Sequence, residues 1–443
     1  MYGLSDDERK FAFIISSAHF SQHIYYRLLP PLIPILAVAL EYPLWQLGLL
    51  ISLYSVGMGV SHAPLGILAD RFDRLYLLPT GIALTGSAYM LFAVAPWIGA
   101  VLPSISIFGH TFAGGYLVMG FSMLVVGVGL SVVHPAGYPM ITDNVATENK
   151  GKVLGMFGAS SKLGDGTAPA IIAVLILAFA WNQIIFGFGL AGVVYGVLLF
   201  GVLQDERYET VPSGQRISQE TQTETNVGKT DRRSYLYPMA IIYAFFLSSM
   251  VAASGLTAFL PTYLIAVYEF SVDLGSIQFG AESVANAYFA ALLIAGAAMQ
   301  LVFGGLADRM DPRRILLICM GLGAVGMGVL SLADLHPIML LVVIIVLGAG
   351  MFGVNPARDA LISDLSPPER EGRTFGYIFT VVTLVGAPLP TVIGYLLETI
   401  GMREGYLILT AGPILAALFI STLYYQGIYQ TKSDKSAMSE PSP

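Results

Sequence analysis

The sequence has 443 residues, of which 55% are hydrophobic and only 12% are charged. A soluble globular chain carries about 25% charged residues, so the composition excludes an ordinary soluble protein. The formal net charge of -7 excludes no class, because charge in a membrane protein is read loop by loop, and the single cysteine, Cys319, excludes an intrachain disulfide.

Apolar runs of roughly 20 residues, the length that crosses ~30 Å of hydrocarbon, recur along the whole chain. No water is available there to satisfy backbone groups, so each run should be a helix. The fold class is therefore all-α integral membrane, with twelve transmembrane helices. The runs, named spans 1 to 12, cover 11–40, 45–69, 76–97, 116–142, 153–178, 182–203, 235–265, 283–307, 313–333, 337–362, 373–398 and 403–428.

Span 1 is long and is expected to stay in the mature chain. The acidic run 6–8 stands where a cleavable signal peptide would have basic residues. Pro30, Pro31 and Pro34 lie near the far end of this span. Proline removes a helical hydrogen bond, so we expect span 1 to bend or unwind there.

Lys and Arg residues are distributed very unevenly between the two sets of loops. One set, with both termini, 70–75, 143–152, 204–234, 308–314 and 363–373, holds 18 of the 22 basic residues, whereas the alternate set holds only Arg403. Basic residues accumulate on the cytoplasmic side. The asymmetry predicts an even number of spans in the cytoplasmic membrane, with both termini and the 204–234 loop cytoplasmic.

Polar composition divides the chain into halves. The segment 204–234 is rich in Gln, Thr, Ser and Glu and predicts a flexible cytoplasmic linker between a six-helix half at 1–203 and another at 235–428. The tail 429–443 is expected to be disordered.

The two halves carry the same sequence marks in the same order. The block 66–73 (Gly-Ile-Leu-Ala-Asp-Arg-Phe-Asp) recurs at 304–311 as Gly-Gly-Leu-Ala-Asp-Arg-Met-Asp, an offset of 238, and His134-Pro-Ala recurs as Asn355-Pro-Ala, an offset of 221. The loop 98–115 is longer than its counterpart 334–336, which explains why the second offset is smaller than the first. A parallel six-span repeat is a transporter architecture with its site near the midplane between the halves.

The Gly-x-x-x-Asp-Arg loops after spans 2 and 8 resemble the signature loop of the major facilitator superfamily, over essentially the whole chain. The stretch from His134 to Tyr138 and the Gly-rich span 5 are similar to the fosmidomycin-resistance group of bacterial efflux proteins. The sequence departs from the superfamily where Asp73 and Asp311 replace Gly and where Pro312 replaces a basic residue.

The resemblance implies a cytoplasmic gate, in which the loop Asp meets a helix N-terminus and the loop Arg pairs with an acid at the end of span 4 or span 10. The alternative is that these charges only keep the loops solvated. The candidate gate residues are Asp70, Arg74 and Asp143 in the first half, and Asp308, Arg313 or Arg314 (Arg314 in the preferred set) and Asp364 in the second.

Charged residues inside spans are costly and are candidates for function. His19, His23 and Arg27 are four apart and form one stripe on span 1. The alternative is that the histidines are structural: the side chain of His19 extends to a nearby membrane surface, and His134 forms a hydrogen bond with a backbone carbonyl. In the resembled fold, spans 1, 4, 7 and 10 line the cavity, which would add His134, Tyr243, Ser249, Asn355 and Arg358.

Span 5 carries Lys162 and Asp165 about one helical turn apart, where each can neutralise the other. The pair is either structural or a place where solute or proton competes for Asp165. Four glycines at 155, 158, 164 and 166 are expected to allow close helix packing, and with Pro169 they loosely resemble the superfamily's antiporter motif. On span 10, Arg358 and Asp359 are adjacent, so at least one is expected to join an interhelical pair.

Several classes are excluded by absent motifs. The sequence has no Gly-x-x-x-x-Gly-Lys-Ser/Thr loop for ATP, no third ligand beside His19 and His23 for a metal, and no basic region suited to nucleic acid. We expect neither an enzyme nor a cofactor.

These observations predict a secondary active transporter that works by alternating access as a monomer. The preferred function is proton-coupled efflux of a small organic solute, anionic or amphiphilic; the alternatives are uptake symport of an organic anion, or a non-transporting receptor of the same fold. Proton coupling is assigned to Asp165 and Asp359. The predicted substrate-binding residues are Arg27, His23, His134, Lys162, Asp165 and Asn355.

Overall fold

The computed structural model describes residues 3–205, 207–212, 232–273, 275, 278–307, 309–366 and 371–425. These residues are mostly helical, and the chain divides into two compact units. Unit 1 comprises Met1–Ser213, Ala258–Ala290 and Ala387–Thr399, and unit 2 comprises Gly214–Thr257, Ala291–Gly386 and Ile400–Pro443. The division at the 204–234 linker stays a prediction.

Every predicted span corresponds to one helix or to two consecutive helices, so the predicted fold class is confirmed. Spans 1 to 6 are Asp6–Tyr26 with Ile33–Leu40, Leu44–Arg71, Arg74–Gly99, Gly114–Leu130 with Val133–Asn144, Lys150–Leu175, and Trp181–Leu203. Spans 7 to 12 are Arg232–Val267, Ala281–Ala307, Pro312–Leu332, Pro337–Gly353 with Asn355–Leu365, Glu371–Gly386 with Leu389–Ile400, and Met402–Leu409 with Ala411–Tyr425.

Within the described residues, 11 of these spans are long and apolar enough to cross a membrane. The remaining one, span 5, has 26 residues and is therefore long enough, but it carries Lys162 and Asp165 in its middle. Charges at mid-span are tolerated when they face protein partners rather than lipid. The polarity of span 5 thus marks the helix on which a polar site is built.

Span 1 is interrupted where its prolines predict. Ser5 caps its first helix in a reciprocal capping box with Glu8, and that helix ends at Tyr26. A short 3-10 turn, Pro30–Leu32, follows before the second helix begins at Ile33. The interruption leaves Arg27 as the residue that terminates the first helix.

Spans 4 and 10 are also interrupted, which the sequence analysis did not predict. In span 10, Pro356 has no N–H for the carbonyl of Phe352, four residues earlier. The amide Nε2 of Gln300 donates to that carbonyl at 2.7 Å. In span 4, Nε2 of Gln22 donates to the carbonyl of Leu130, where the first helix ends, at 2.5 Å. Side chains of neighbouring spans therefore satisfy the broken backbone.

The loop 98–115, between spans 3 and 4, contains a short antiparallel hairpin. Strands Ile105–Ile107 and His110–Phe112 pair across a turn in which Phe108 and Gly109 have positive φ. A second hairpin joins Val272–Asp273 to Gln278–Phe279. Neither run is long enough to show the alternating pattern that predicts a strand, so both were expected as loops.

The core of unit 1 lies between spans 1, 3, 4, 5 and 6. Phe11 and Ile15 of span 1 pack with Leu78 of span 3, Met140 of span 4 and Phe157 of span 5. This packing fixes span 5 against span 1 and so positions the charged residues that both helices carry.

Unit 1 also contains a close crossing of spans 2 and 11, here named the 2–11 seam. A Cβ on Gly48 would lie 2.2 Å from the carbonyl oxygen of Pro390, so only glycine allows this approach. A Cβ on Gly394 would lie 2.5 Å from the carbonyl oxygen of Leu44, at the start of span 2. Beside them, the hydroxyls of Ser52 and Thr391 are hydrogen-bonded at 2.8 Å.

Unit 2 is built on similar contacts of its own. A Cβ on Gly412 of span 12 would lie 2.7 Å from the carbonyl oxygen of Ser248, and the buried Tyr406 hydroxyl donates to the carbonyl of Gly255 at 3.1 Å. Both contacts bring span 12 onto span 7.

Candidate functional site

A buried carboxylate on span 5 gathers the charged residues of unit 1. The side chain of Asp165 is only 6% exposed. Its Oδ1 accepts hydrogen bonds from Nε of Arg27 and from Nδ1 of His23, each at 3.0 Å. The ammonium of Lys162 lies 3.7 Å from the other carboxylate oxygen. The predicted stripe of span 1 and the predicted ion pair of span 5 therefore form one cluster.

The break in span 1 places Arg27 in this cluster. Arg27 follows the last helical residue, and its backbone N–H is satisfied by the carbonyls of His23 and Ile24. Its guanidinium lies 4.8 Å from the centre of the Tyr26 ring. Tyr26 in turn packs edge-on against Tyr54 of span 2, with ring centres 5.4 Å apart. Aromatic faces stabilise a cation held away from water.

Gly164 permits the close approach of span 5 to span 1. A Cβ at this position would lie 2.5 Å from the backbone oxygen of Phe20 and 2.9 Å from Cβ of His23. Of the glycines predicted to allow close packing, Gly155 and Gly158 face open space instead. The prediction for those two glycines was wrong, because a glycine pattern does not say which face of the helix meets a neighbour.

The histidines form a second layer beneath the carboxylate. The ring of His19 lies 4.9 Å from that of His23 and 5.0 Å from that of His134, centre to centre, and is nearly perpendicular to both. His19 stacks on Phe157 of span 5 and shares a 2.6 Å hydrogen bond with its carbonyl. His134 stacks on Tyr138 one turn along span 4.

The position of His19 corrects one alternative from the sequence. This residue is 3% exposed and does not extend to a membrane surface. The carbonyl bond that was considered for His134 is made by His19 instead. Spacing along one helix shows that two residues share a face, but it does not show which of them meets span 5.

The cluster holds more fixed positive charge than negative charge. Arg27 and Lys162 are both cations, and Asp165 is the carboxylate that they share among the described residues around them. Arg27 is the closer partner and is 12% exposed, whereas Lys162 is the more distant one and is 31% exposed. Lys162 is therefore the cation whose charge is least compensated and most accessible.

Asn355, Arg358 and Asp359 form a separate cluster within unit 2. Arg358 donates from its guanidinium to Oδ1 of Asn355 and to Oδ1 of Asp359, each at 2.9 Å. The same guanidinium lies 4.5 Å from the centre of the Phe246 ring of span 7. The adjacent Arg and Asp thus pair with each other, and the interhelical contact that we expected is made by Arg358 with an aromatic ring.

The first-half gate residues are partly assembled. Arg74 is buried, and its NH1 donates to Oδ2 of Asp143 at 2.6 Å while its Nε donates to the carbonyl of Ala69. Asp73 caps the same helix through the N–H of Leu75. Asp70 is exposed, and its carboxylate makes no hydrogen bond to a residue in the described ranges.

In the second half, Arg313 is the buried arginine of the loop and Arg314 is exposed. Arg313 pairs with Asp311 at 2.6 Å and donates from NH1 to the carbonyl of Leu423 at 2.9 Å. Asp364 lies near the end of span 10, half-buried. Asp308 lies outside the described residues.

Three residues around the cluster were absent from the predicted site. Tyr26 and Tyr54 pack around Arg27, and Gln22 holds the break in span 4. Gln22 lies one residue before His23, and Tyr26 lies one residue before Arg27. Polar and aromatic residues flanking the charged stripe were the available signal.

The family model described as Major Facilitator Superfamily matches residues 15–290 and again 276–442. The chain belongs to this superfamily. It is therefore a multi-pass membrane protein and a secondary transporter, and the members of this family that it resembles are not enzymes.

Two relatives resemble this superfamily member at low identity. It is 22% identical to the hexuronate transporter of Bacillus subtilis, over 85% of each chain. It is 20% identical to the fosmidomycin resistance protein of Escherichia coli, over 92% of this chain and 91% of that one. The resemblance to the fosmidomycin-resistance group is thus found at low identity.

A solved structure shares the fold. A bacterial homolog of the human lysosomal transporter Spinster, in an inward-facing and occupied conformation, superimposes with a TM-score of 0.74 at 13% identity. The match covers 97% of this chain and 100% of that one. At this identity the match concerns the fold alone.

Proposed function

We propose that this transporter moves a small organic anion across the cytoplasmic membrane by alternating access, as a monomer with both termini cytoplasmic. Arg27 and Lys162 are the cations that bind the anion. His23 and Asp165 position them, and His134 and Asn355 complete the proposed binding set. The single observation that carries the proposal is that two fixed cations share one buried carboxylate.

Uncompensated charge inside a membrane protein is costly, and an opposite charge lowers that cost. Lys162 is the more accessible of the two cations, so an anionic solute would meet it first. Arg27 presents a planar guanidinium that can hold a carboxylate through two parallel hydrogen bonds. A carboxylate that engaged both residues would replace part of the charge that Asp165 now supplies.

The hexuronate transporter that resembles this chain carries a sugar acid by name, which supports a carboxylate as the solute. Hexuronates such as glucuronate and galacturonate are therefore the first probes. Their neutral parents, glucose and galactose, are matched controls that differ mainly in the carboxylate.

We propose that transport is coupled to protons, with Asp165 as the carboxylate that links the solute to the proton and Asp359 as a second candidate. Export in exchange for protons is the preferred direction, supported by the similarity to a fosmidomycin resistance protein, and it requires the proton and the solute to bind in turn. If protonation of Asp165 instead removes the counter-charge of Arg27 and frees the guanidinium for the solute, proton and anion bind together, which is symport. The hexuronate relative supports uptake symport of the same class of anion as the second candidate.

The proposed cytoplasmic gate comprises Asp70, Arg74 and Asp143 in the first half and Asp308, Arg314 and Asp364 in the second. The pairing of Arg74 with Asp143 supports the first set. In the second set, the burial of Arg313 makes it a better candidate than Arg314 for the role of Arg74.

Thermal unfolding of the purified protein tests the proposed solute class. A ligand that binds only the folded state raises Tm with its concentration. We expect glucuronate or galacturonate to raise Tm, glucose and galactose to leave it unchanged, and Arg27→Ala to abolish the shift. Equal shifts with the neutral sugars would contradict an anion site. Counterflow in proteoliposomes then separates a transporter from a receptor, since a receptor binds without moving the solute.

A further inference from the structure

The hydrogen bond of His19 fixes which of its ring nitrogens carries a proton. A backbone carbonyl only accepts, so the 2.6 Å contact with Phe157 requires a hydrogen on Nδ1 of His19. In the neutral ring, Nε2 is then a lone-pair acceptor. Among the residues that the structure describes, this buried Nε2 has no hydrogen-bond partner. A buried acceptor without a partner is costly to retain and calls for an explanation.

The free nitrogen lies in a pocket of other imidazoles. The rings of His23 and His134 stand edge-on to His19 at about van der Waals contact, with ring centres 4.9 and 5.0 Å away. Phe157 covers one face of the His19 ring, at 3.9 Å. Nε2 of His19 is buried, and the imidazoles of His23 and His134 are proton-exchanging groups in contact with its ring.

The His23 ring connects this nitrogen to the carboxylate. An ionised carboxylate only accepts, so Nδ1–H of His23 donates to Oδ1 of Asp165 at 3.0 Å, and its own Nε2 is left as an acceptor. The order along the cluster is His134, His19, His23 and Asp165. Adjacent members are in ring contact or hydrogen-bonded.

We propose that His19 relays protons to the His23–Asp165 pair, an inference that rests on the proposed proton coupling. His19 binds a proton at Nε2 and becomes an imidazolium. That proton passes to Nε2 of His23, while the proton on Nδ1 of His23 passes to Oδ1 of Asp165. His19 returns to its neutral tautomer, His23 is left neutral with its hydrogen on Nε2, and Asp165 becomes an uncharged acid. No electron is transferred and one proton has moved.

The other charged and titratable groups facing the relay set its direction. The ammonium of Lys162 on span 5 repels a proton held on His19 or on His134. A charged His62 on span 2 would repel a proton on His134, and Tyr138 of span 4 stacks on the His134 ring. Asp165 is the group of opposite charge at the end of the row. Arg27 and Lys162 hold Asp165 ionised, so a proton that enters at His134 or His19 is transferred to Asp165 when the solute engages these cations.

His19 acts through His23 and does not contact the solute in this conformation, because its side chain is buried beneath that residue. It is a positioning and relay residue rather than a binding residue. Loss of the relay should slow steps that need a net proton, while exchange of one solute molecule for another, which moves no net proton, should continue.

The test uses His19→Asn, in which the amide nitrogen stands near the position of Nδ1 and can still donate to Phe157. Two rates are measured in proteoliposomes: counterflow of labelled glucuronate into vesicles loaded with unlabelled glucuronate, without a pH gradient, and accumulation of labelled glucuronate in unloaded vesicles, driven by a pH gradient. Ser16→Ala is the matched control, because it removes another buried unpartnered polar atom one turn away without removing a titratable group.

We expect His19→Asn to keep counterflow within about twofold of the unsubstituted protein and to lose about tenfold or more of the gradient-driven rate, with Ser16→Ala unchanged in both. Unchanged accumulation in His19→Asn would overturn the relay, as would equal loss of both rates in a folded variant. If His19→Asn does not assemble, His19→Gln, with a longer amide arm, carries the same comparison. Failure of the unsubstituted protein in counterflow with any organic anion would instead overturn the proposed function.

Discussion

Nε of Arg27 lies 3.0 Å from Oδ1 of Asp165, and the two residues are 138 positions apart in the sequence. The contact joins the end of a broken helix in span 1 to the middle of span 5. Both side chains are largely buried, so each depends on the other for charge compensation. The solute and the fold therefore compete for the same guanidinium.

Arg27→Ala should weaken glucuronate binding by about tenfold or more and also lower Tm, because removing one partner of a buried ion pair costs about 3–5 kcal/mol. Arg27→Lys should bind more weakly than the unsubstituted protein, since an ammonium cannot make two parallel hydrogen bonds. Adding Asp165→Asn to Arg27→Ala should restore part of the stability but not the binding. Full affinity in a folded Arg27→Ala protein would remove the residue from the site.

Gly164→Ala should destabilise the protein by about 1–3 kcal/mol, because the added Cβ would lie 2.5 Å from the backbone oxygen of Phe20. The same change at Gly158, on the same helix, meets open space and serves as the control. The measurement is Tm for both variants, with glucuronate-dependent stabilisation as a second readout. Equal Tm values for Gly164→Ala and Gly158→Ala would show that spans 1 and 5 can move apart without loss of stability.

Asp143→Asn should slow turnover, because it leaves the buried Arg74 guanidinium without its ionised partner. Solute binding should be retained if the pair acts only in the gate.

Asp70→Ala should also slow turnover and favour an inward-open state. Transport at the unsubstituted rate in Asp70→Ala and Asp308→Ala, separately and combined, would rule out a gate built on these loops.

Ser218→Cys tests the predicted orientation in a Cys319→Ser background, where the native buried thiol is absent. The new thiol should be protected from an impermeant maleimide in intact cells and should react once the membrane is opened. A cysteine at Ser106, exposed in the first hairpin, should react from outside. Labelling of the cysteine at 218 but not of the one at 106 in intact cells would show that the orientation is the opposite of the predicted one.

Composition and proline positions were sufficient to predict the spans and the break in span 1. Each of these features depends only on how one segment of the chain behaves in the bilayer, and the composition of that segment determines it. The four-residue spacing of His23 and Arg27, and the three-residue spacing of Lys162 and Asp165, likewise predicted two charged helix faces. The sequence did not require those two faces to meet, although charge compensation made the meeting plausible.

The features that escaped prediction depend on contacts between distant segments. A surface position stayed open for His19 as an alternative, because its spacing does not reveal the carbonyl of Phe157. The role of Gln300 becomes visible only when its amide is found beside the carbonyl that Pro356 leaves without a donor. Asp359 was expected to serve the proton path, yet its contact with Arg358 depends on how one long side chain folds back along its own helix.

Among the described residues, the contacts that define the 2–11 seam are uncharged. They are glycine against backbone and one hydroxyl pair, Ser52 with Thr391. Dissolved salt screens charges and has little to act on in such a contact. Parting these two helices should therefore proceed at the same rate in dilute and concentrated electrolyte, and a salt-dependent reactivity of a cysteine at Ser52 would contradict this. Any response of turnover to ionic strength should then arise elsewhere, at the accessible Lys162 or at exposed loop charges such as Asp70.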